Sequence, residues 1–168
     1  MTRILLLADT HGHVDSRVEA IAREYDVVVH AGDVGNASVL DALRASGVEV
    51  IAVRGNNDVP SKWPRADHDA LAALEDVARV ELPGGVLIAT HGDRYAPAVR
   101  HARLRAAYPD ARAVVYGHSH RLLVDDDATP WILNPGAAGR ARTYGGASCL
   151  ILEARSQSWR IEPCRFER

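Results

Sequence analysis

The sequence predicts one α/β domain spanning residues 1–168, with strands of mixed direction and two sheets packed face to face. Three observations carry that reading. Short apolar runs alternate with helical stripes over the first third, the β-α-β-α-β rhythm of parallel strands with helices on their faces. The last third is rich in strand-like runs. No internal repeat, low-complexity tract or linker divides the chain.

The elements follow in order. Arg3 to Ala8 is a continuous apolar run ending in Asp-Thr-His-Gly, a buried strand followed by a loop. Val14, Val18, Ile21 and Ala22 form a helical stripe within Val14 to Glu24, with Asp15 and Ser16 near its start. Asp26 to His30 is a second buried strand. Ser38 opens a helix through Ala45, and Gly47 stops it. Val48 to Val53 is a third strand, ending in Arg-Gly-Asn-Asn-Asp. Residues 60–67 read as a proline-containing surface loop and Asp69 to Ala78 as a helix. Residues 79–93 read as two strands joined by a turn at Pro83 to Gly85, and a helix covers Pro97 to Tyr108. Ala111 to Val115 and the runs RLLVDDD, PWILNPG, ASCLILEA and WRIEPCRF are strands, with Asp125 to Asp127 a solvated hairpin loop.

A length of 168 residues supports a sizeable core, and 47% hydrophobic with 25% charged residues is ordinary for a globular protein. A net charge of −2 provides no basic field to hold nucleic acid nonspecifically. The apolar run before Asp9 is too short for a signal peptide, and no segment approaches a membrane span, so a cytoplasmic protein is expected. Cys149 and Cys164, the only cysteines, read as two buried thiols in a reducing compartment. A homo-oligomer is compatible with the sequence.

Polar residues collect where the apolar runs end: Asp9 and His11, Asp33, Asn56, His91, and His118 with His120. Sites in open α/β sheets form at the carboxyl ends of strands. In Gly-His-Ser-His, His118 and His120 project the same way because a strand alternates its side chains. Two neighbouring imidazoles repel when protonated, and metal binding removes the conflict. Two carboxylates, one amide oxygen and four imidazoles are too many donors for one open catalytic ion. They suit two ions sharing a carboxylate, the usual clamp for displacement at phosphorus. Nitrogen and oxygen donors without thiolate favour Mn, Fe, Co, Ni or Zn over Mg.

The ordered pieces D-x-H-G, G-D, G-N-x-D, T-H-G and G-H-x-H over residues 9–136 resemble the calcineurin-like metallophosphoesterases. The short length, the VRGNND form and the late NPGA resemble the small prokaryotic phosphodiesterases among them. The resemblance implies a four-layer αββα sandwich, with two facing mixed β-sheets flanked by helices. It implies a phosphodiesterase with two divalent metal ions per chain, Mn first among the candidates, acting on a small phosphate ester through a metal-bridging hydroxide. Asp9, His11, Asp33 and His120 would hold one ion. Asp33, Asn56, His91 and His118 would hold the other. Some relatives are scaffolds in protein assemblies, which makes a weakly catalytic or non-catalytic metal-binding scaffold the alternative.

One position departs from the family. Many members carry His after the motif Asn, near the leaving group, where this chain has Asn57. An amide cannot donate a proton as an acid near neutral pH, so activity is expected to favour good leaving groups. Asp58 reads as a carboxylate that orients a neighbouring ligand. Arg54 and Arg94 are candidate phosphate contacts, with an ion pair the alternative for Arg54. His30 reads as a hydrogen-bonded buried histidine, His13 as a solvated loop residue, His68 and His101 as surface residues, and Asn134 with Gly136 as a tight turn beside the site.

Overall fold

The structure is a computed structural model that describes residues 1–167. The chain runs β1 (Thr2–Leu7), α1 (Ser16–Ala22), β2 (Val27–His30), α2 (Ala37–Arg44), β3 (Glu49–Ala52), a 3-10 turn (Arg65–Asp67), α3 (His68–Ala72), β4 (Val77–Leu82) and β5 (Gly85–Thr90). It continues through α4 (Arg100–Ala107), β6 (Ala113–Tyr116), β7 (Leu122–Asp125), β8 (Trp131–Pro135), β9 (Gly146–Ala154) and β10 (Trp159–Glu167). The strands form two five-stranded sheets, ordered β10-β9-β1-β2-β3 and β4-β5-β6-β8-β7. In the first, β1, β2 and β3 are parallel and β9 and β10 are antiparallel. In the second, β5, β6 and β8 are parallel, with β4 and β7 antiparallel at the edges.

Three layers of side chains make this a four-layer αββα sandwich. Ile4, Leu6 and Ala8 of the first sheet meet Leu87, Ala89, Val115 and Leu133 of the second. Leu5 and Leu7, on the opposite face of β1, pack against Val18, Leu40 and Leu43 of the first two helices. Ile88, Val114 and Ile132 pack against Leu104 of α4. Both faces of the central strands are therefore covered, which is why their apolar runs are continuous rather than alternating.

Several element boundaries differ from the sequence reading, and each has a local cause. The helix expected over Asp69 to Ala78 ends at Ala72, and Val77 and Ala78 already belong to β4. A parallel bridge from Val53 to Glu75 pulls the chain out of the helix, and the Arg54 amide bonds the Glu75 carbonyl at 2.7 Å. The first helix is shorter than its stripe because the Asp15 side chain caps it, accepting from the Arg17 amide. Asn36 caps the second in the same way through Val39. The fourth helix begins at Arg100, not Pro97. Asp125 is not solvated loop: it ends β7 and accepts from Arg105 Nη2 at 2.7 Å. His68 and His101 are half-buried rather than surface residues, and His101 Nε2 lies 3.0 Å from the Tyr116 hydroxyl. Cys149 is buried as expected but Cys164, its neighbour across β9 and β10, is only half-buried, and both are free. Among the described residues no helix is long and apolar enough to cross a membrane.

The loop over residues 60–67 is the most informative difference. It delivers Trp63 into the core, 4% exposed, with its indole nitrogen 3.0 Å from Asp58 Oδ1. The buried Asp58 carboxylate also accepts from the backbone amides of Val34 (3.1 Å), Gly35 (2.9 Å) and Gly55 (2.8 Å). One carboxylate thus ties the loop after β2 to the loop after β3. Asp58→Ala leaves those buried donors unsatisfied, and about 3 kcal/mol or more of stability is expected to disappear in urea unfolding. Trp63→Phe removes one of the four hydrogen bonds and is expected to cost about 1–3 kcal/mol.

Candidate metal centre

The five segments singled out in the sequence converge. Asp9 and His11 follow β1, Asp33 follows β2, Asn56 and Asn57 follow β3, His91 follows β5, and His118 and His120 follow β6. All five strands are parallel members of their sheets, so their carboxyl ends open on one cleft. The turns are tight. Asp9, His11, Asp33, His118 and His120 all adopt left-handed backbone, with φ between 47° and 65°. Such strain in non-glycine residues concentrates at functional sites. Between the loops the packing is close enough that a Cβ on Gly55 would lie 2.2 Å from the Asp33 amide.

Two groups of donors form around Asp33. In the first, ligand atoms of Asp9, His11, Asp33 and His120 all lie within 4.8 Å of one another. His11 Nε2 is 3.1 Å from His120 Nε2 and 3.6 Å from Asp33 Oδ2, and His120 Nε2 is 3.6 Å from Asp9 Oδ1. In the second, His91 Nε2 is 3.0 Å from Asn56 Oδ1 and 3.4 Å from Asp33 Oδ2, and Asn56 Oδ1 is 3.0 Å from His118 Nδ1. All seven donors predicted from the sequence are therefore brought together.

The donor chemistry fits a cation. His120 Nδ1 faces the Ala141 carbonyl and His91 Nδ1 faces the Ala31 carbonyl, each at 2.9 Å. A carbonyl only accepts, so Nδ1 carries the proton in both rings and Nε2 of the neutral ring presents a lone pair to the cleft. The His91 lone pair would then face two acceptors, Asn56 Oδ1 and Asp33 Oδ2. Asp9 Oδ2 is buried and has no hydrogen-bond partner. A cation among these atoms satisfies all of them at once.

The electrostatics of the metal-free protein say the same. Burial pushes the Asp9 carboxyl up to about 7. Burial also lowers His120 to about 4, and lowers His11 and His118. His91 goes the other way. Burial pulls it down, but the hydrogen bond and charge of Asp33 outweigh that and raise it to about 9. Asp33 is held well below the usual carboxylate range; burial opposes this and is overcome by His91 and by hydrogen bonds from Asn57. Asp33 thus favours positive charge at His91 Nε2, the place a bound cation would take.

The surrounding residues divide sharply. Asn57 donates to Asp33 through its backbone amide at 2.8 Å and through Nδ2 at 2.7 Å, while its Oδ1 accepts from Lys62. Asp58 spends both oxygens on the loops and positions the ligands without reaching the cleft. Arg54 makes no ion pair with an acid among the described residues. Its Nη2 donates to the Leu71 and Leu74 carbonyls at the end of α3, which makes it a structural cap. Arg94 pairs with Asp76 at 2.6 Å on the surface. His30 is fully buried, with Nε2 2.9 Å from the Thr10 hydroxyl. Asn134 Nδ2 holds the Gly117 carbonyl at 2.8 Å and Ser119 Oγ at 3.0 Å, bracing the Gly-His-Ser-His turn. The sequence reading missed Arg142, whose Nη2 is 3.0 Å from His120 Nε2. Nothing in its local sequence distinguishes it from the neighbouring Arg140.

Comparisons with known proteins bear on the family and the fold. The chain is 25% identical over 142 residues to a phosphodiesterase of Methanocaldococcus jannaschii, covering 80% of this chain and 82% of that one. A solved archaeal phosphodiesterase superposes with a TM-score of 0.71 at 20% identity, over 96% of this chain and 99% of the other. Vps29 of Entamoeba histolytica, solved in complex with zinc, superposes with a TM-score of 0.72 at 17% identity, over 98% and 99% of the two chains. Residues 2–157 match the family model of the calcineurin-like phosphoesterase superfamily domain, and the chain belongs to that superfamily.

Proposed function

We propose that the protein is a metal-dependent phosphodiesterase with a dinuclear centre, acting on a small phosphate ester. Asp9, His11, Asp33 and His120 would hold one ion, and Asp33, Asn56, His91 and His118 the other. The observation that carries this reading is the position of Asp33, whose Oδ2 lies 3.6 Å from His11 Nε2 in one group and 3.4 Å from His91 Nε2 in the other. Divalent ions held there, Mn first among them, would polarise a phosphoryl oxygen and acidify a water near neutral pH.

The chain's own residues set the preference among esters. Asn57 holds the Asp33 carboxylate through two hydrogen bonds and offers no acidic proton to a leaving group. Esters whose leaving groups depart as stable anions are therefore favoured over alkyl esters. The Ala141 and Ala31 carbonyls keep His120 and His91 in the tautomer that turns Nε2 to the cleft. A second reading, a metal-binding scaffold without turnover, is favoured by Asn57 in place of the family His and by the likeness to Vps29.

Untagged protein is expected to bind about two Mn ions per chain and to hydrolyse bis-p-nitrophenyl phosphate, with Asp33→Asn losing about 100-fold or more in kcat. Metal bound in full with no ester hydrolysed would favour the scaffold. No metal under any condition would overturn both readings. Asn57→Ala is expected to lower kcat about tenfold by freeing Asp33, on the scale of a lost charge-assisted hydrogen bond. Asn57→His is expected to raise the rate on alkyl phosphate esters relative to aryl ones. Full turnover of unactivated monoesters, unchanged in Asn57→Ala, would remove Asn57 from the account.

A further inference from the structure

We propose that Arg142 is the anchor for the phosphoryl group at this centre, reaching into the cleft from the loop between Gly136 and β9. The proposal rests on the phosphoesterase reading above and names the residue that recognises the anionic oxygens of its substrate.

Arg142 differs from the other arginines near the cleft. Arg54 is bound to helix carbonyls and Arg94 to Asp76. Arg142 makes no ion pair among the described residues, although its charge is felt at Asp9, His11 and His120. Its one described hydrogen-bond partner is Nε2 of His120, 3.0 Å from Nη2. That nitrogen carries the imidazole lone pair, because Nδ1 is committed to the Ala141 carbonyl. A guanidinium resting on a ligand's lone pair occupies the place of a cation. A metal taking that lone pair would free the guanidinium, while the loop would keep it beside the cleft. Its planar fork then matches the two non-bridging oxygens of a phosphodiester, which it can bind bidentately.

The loop is built to hold the side chain in that place. His120 Nδ1 ties it at Ala141, one residue before the anchor. Two residues after it, the Tyr144 ring lies under the Arg121 guanidinium, 4.6 Å from centre to cation, and the Tyr144 carbonyl accepts from Arg165 Nη1 at 2.9 Å. Arg142 and Tyr144 both adopt left-handed backbone, at φ 51° and 44°. Arg121 and Arg165 thus fix the loop while Arg142, exposed along much of its length, brings its Nη2 to His120. Arg140, equally exposed on the same loop and without a described contact to the cluster, is an internal control of equal charge.

The test is calorimetric titration of inorganic phosphate into the Mn-loaded protein, with Mn affinity measured separately. Arg142→Ala is expected to weaken phosphate binding about tenfold or more, as the loss of a charge-assisted contact does, and to raise KM for bis-p-nitrophenyl phosphate. Mn stoichiometry is expected to be unchanged and Mn affinity not to fall, since the guanidinium rests on the His120 lone pair and supplies nothing to the metal. Arg142→Gly, which suits the left-handed backbone, is expected to behave the same way. Arg140→Ala is expected to change neither. Unchanged phosphate affinity in Arg142→Ala, an equal loss in Arg140→Ala, or lost Mn binding in both Arg142 variants would overturn the anchor. A wild type that hydrolyses the diester while its Arg142 variants bind phosphate normally overturns the anchor alone. A wild type that binds Mn, and phosphate through Arg142, yet hydrolyses no ester overturns the phosphoesterase reading alone.

Discussion

The Asp9 and Asp33 carboxylates are buried where the parallel strands of the two sheets end, and the cleft is organised around them. Burying a carboxylate is costly unless something positive or hydrogen-bonding meets it. The two answer that demand differently. Asp33 receives His91 and both donors of Asn57 and stays ionised. Asp9 keeps one oxygen without a partner, and its carboxyl is pushed up to about 7. The centre is thus half-satisfied by the protein alone, and what it lacks is positive charge beside imidazole lone pairs.

Ligands of a metal work best when they do not need to move, and the hydrogen bonds around the candidate donors would serve that end. Asp58 joins the loops that carry Asp33 and Asn56, with Trp63 closing over it. Asn134 braces the turn that carries His118 and His120. Main-chain carbonyls set the two histidine tautomers. The two carbonyl contacts cross between the sheets, so the sandwich core and the geometry of the donor cluster are coupled: Val53, Ala31 and Ala8 belong to the inter-sheet core and lie beside the loops that carry the donors.

The arginines show how poorly charge alone reports role. Arg54 lies next to a ligand-bearing loop in sequence and is a helix cap in space. Arg142 lies more than twenty residues beyond the last ligand and is directed at it. A guanidinium serves wherever its fork meets acceptors, and only the folded backbone decides which acceptors those are.

Much of the fold, and the gathering of the candidate donors at strand ends, was legible in the sequence, because both follow local rules. Val27–His30 and Ala113–Tyr116 are strands because apolar β-branched runs must be buried, and their ends read as loops because Gly and Asp, which are depleted in strands, follow them. The seven candidate donors could be named because Asp, Asn and His side chains stand where apolar strand runs end, and because their order resembles that of the family. The failures share one cause. The end of α3 is set by a bridge to Val53, the burial of Trp63 by Asp58, and the roles of Arg54 and Arg142 by carbonyls and an imidazole distant in the chain. The sequence by itself determined which atoms are available to bind metal and which segments form the layers, since those are properties of residue type and spacing. Only the tertiary structure decided which hydrogen-bond partner each polar group found, because such partners are main-chain and side-chain atoms brought within about 3 Å by packing, and no local pattern encodes that approach.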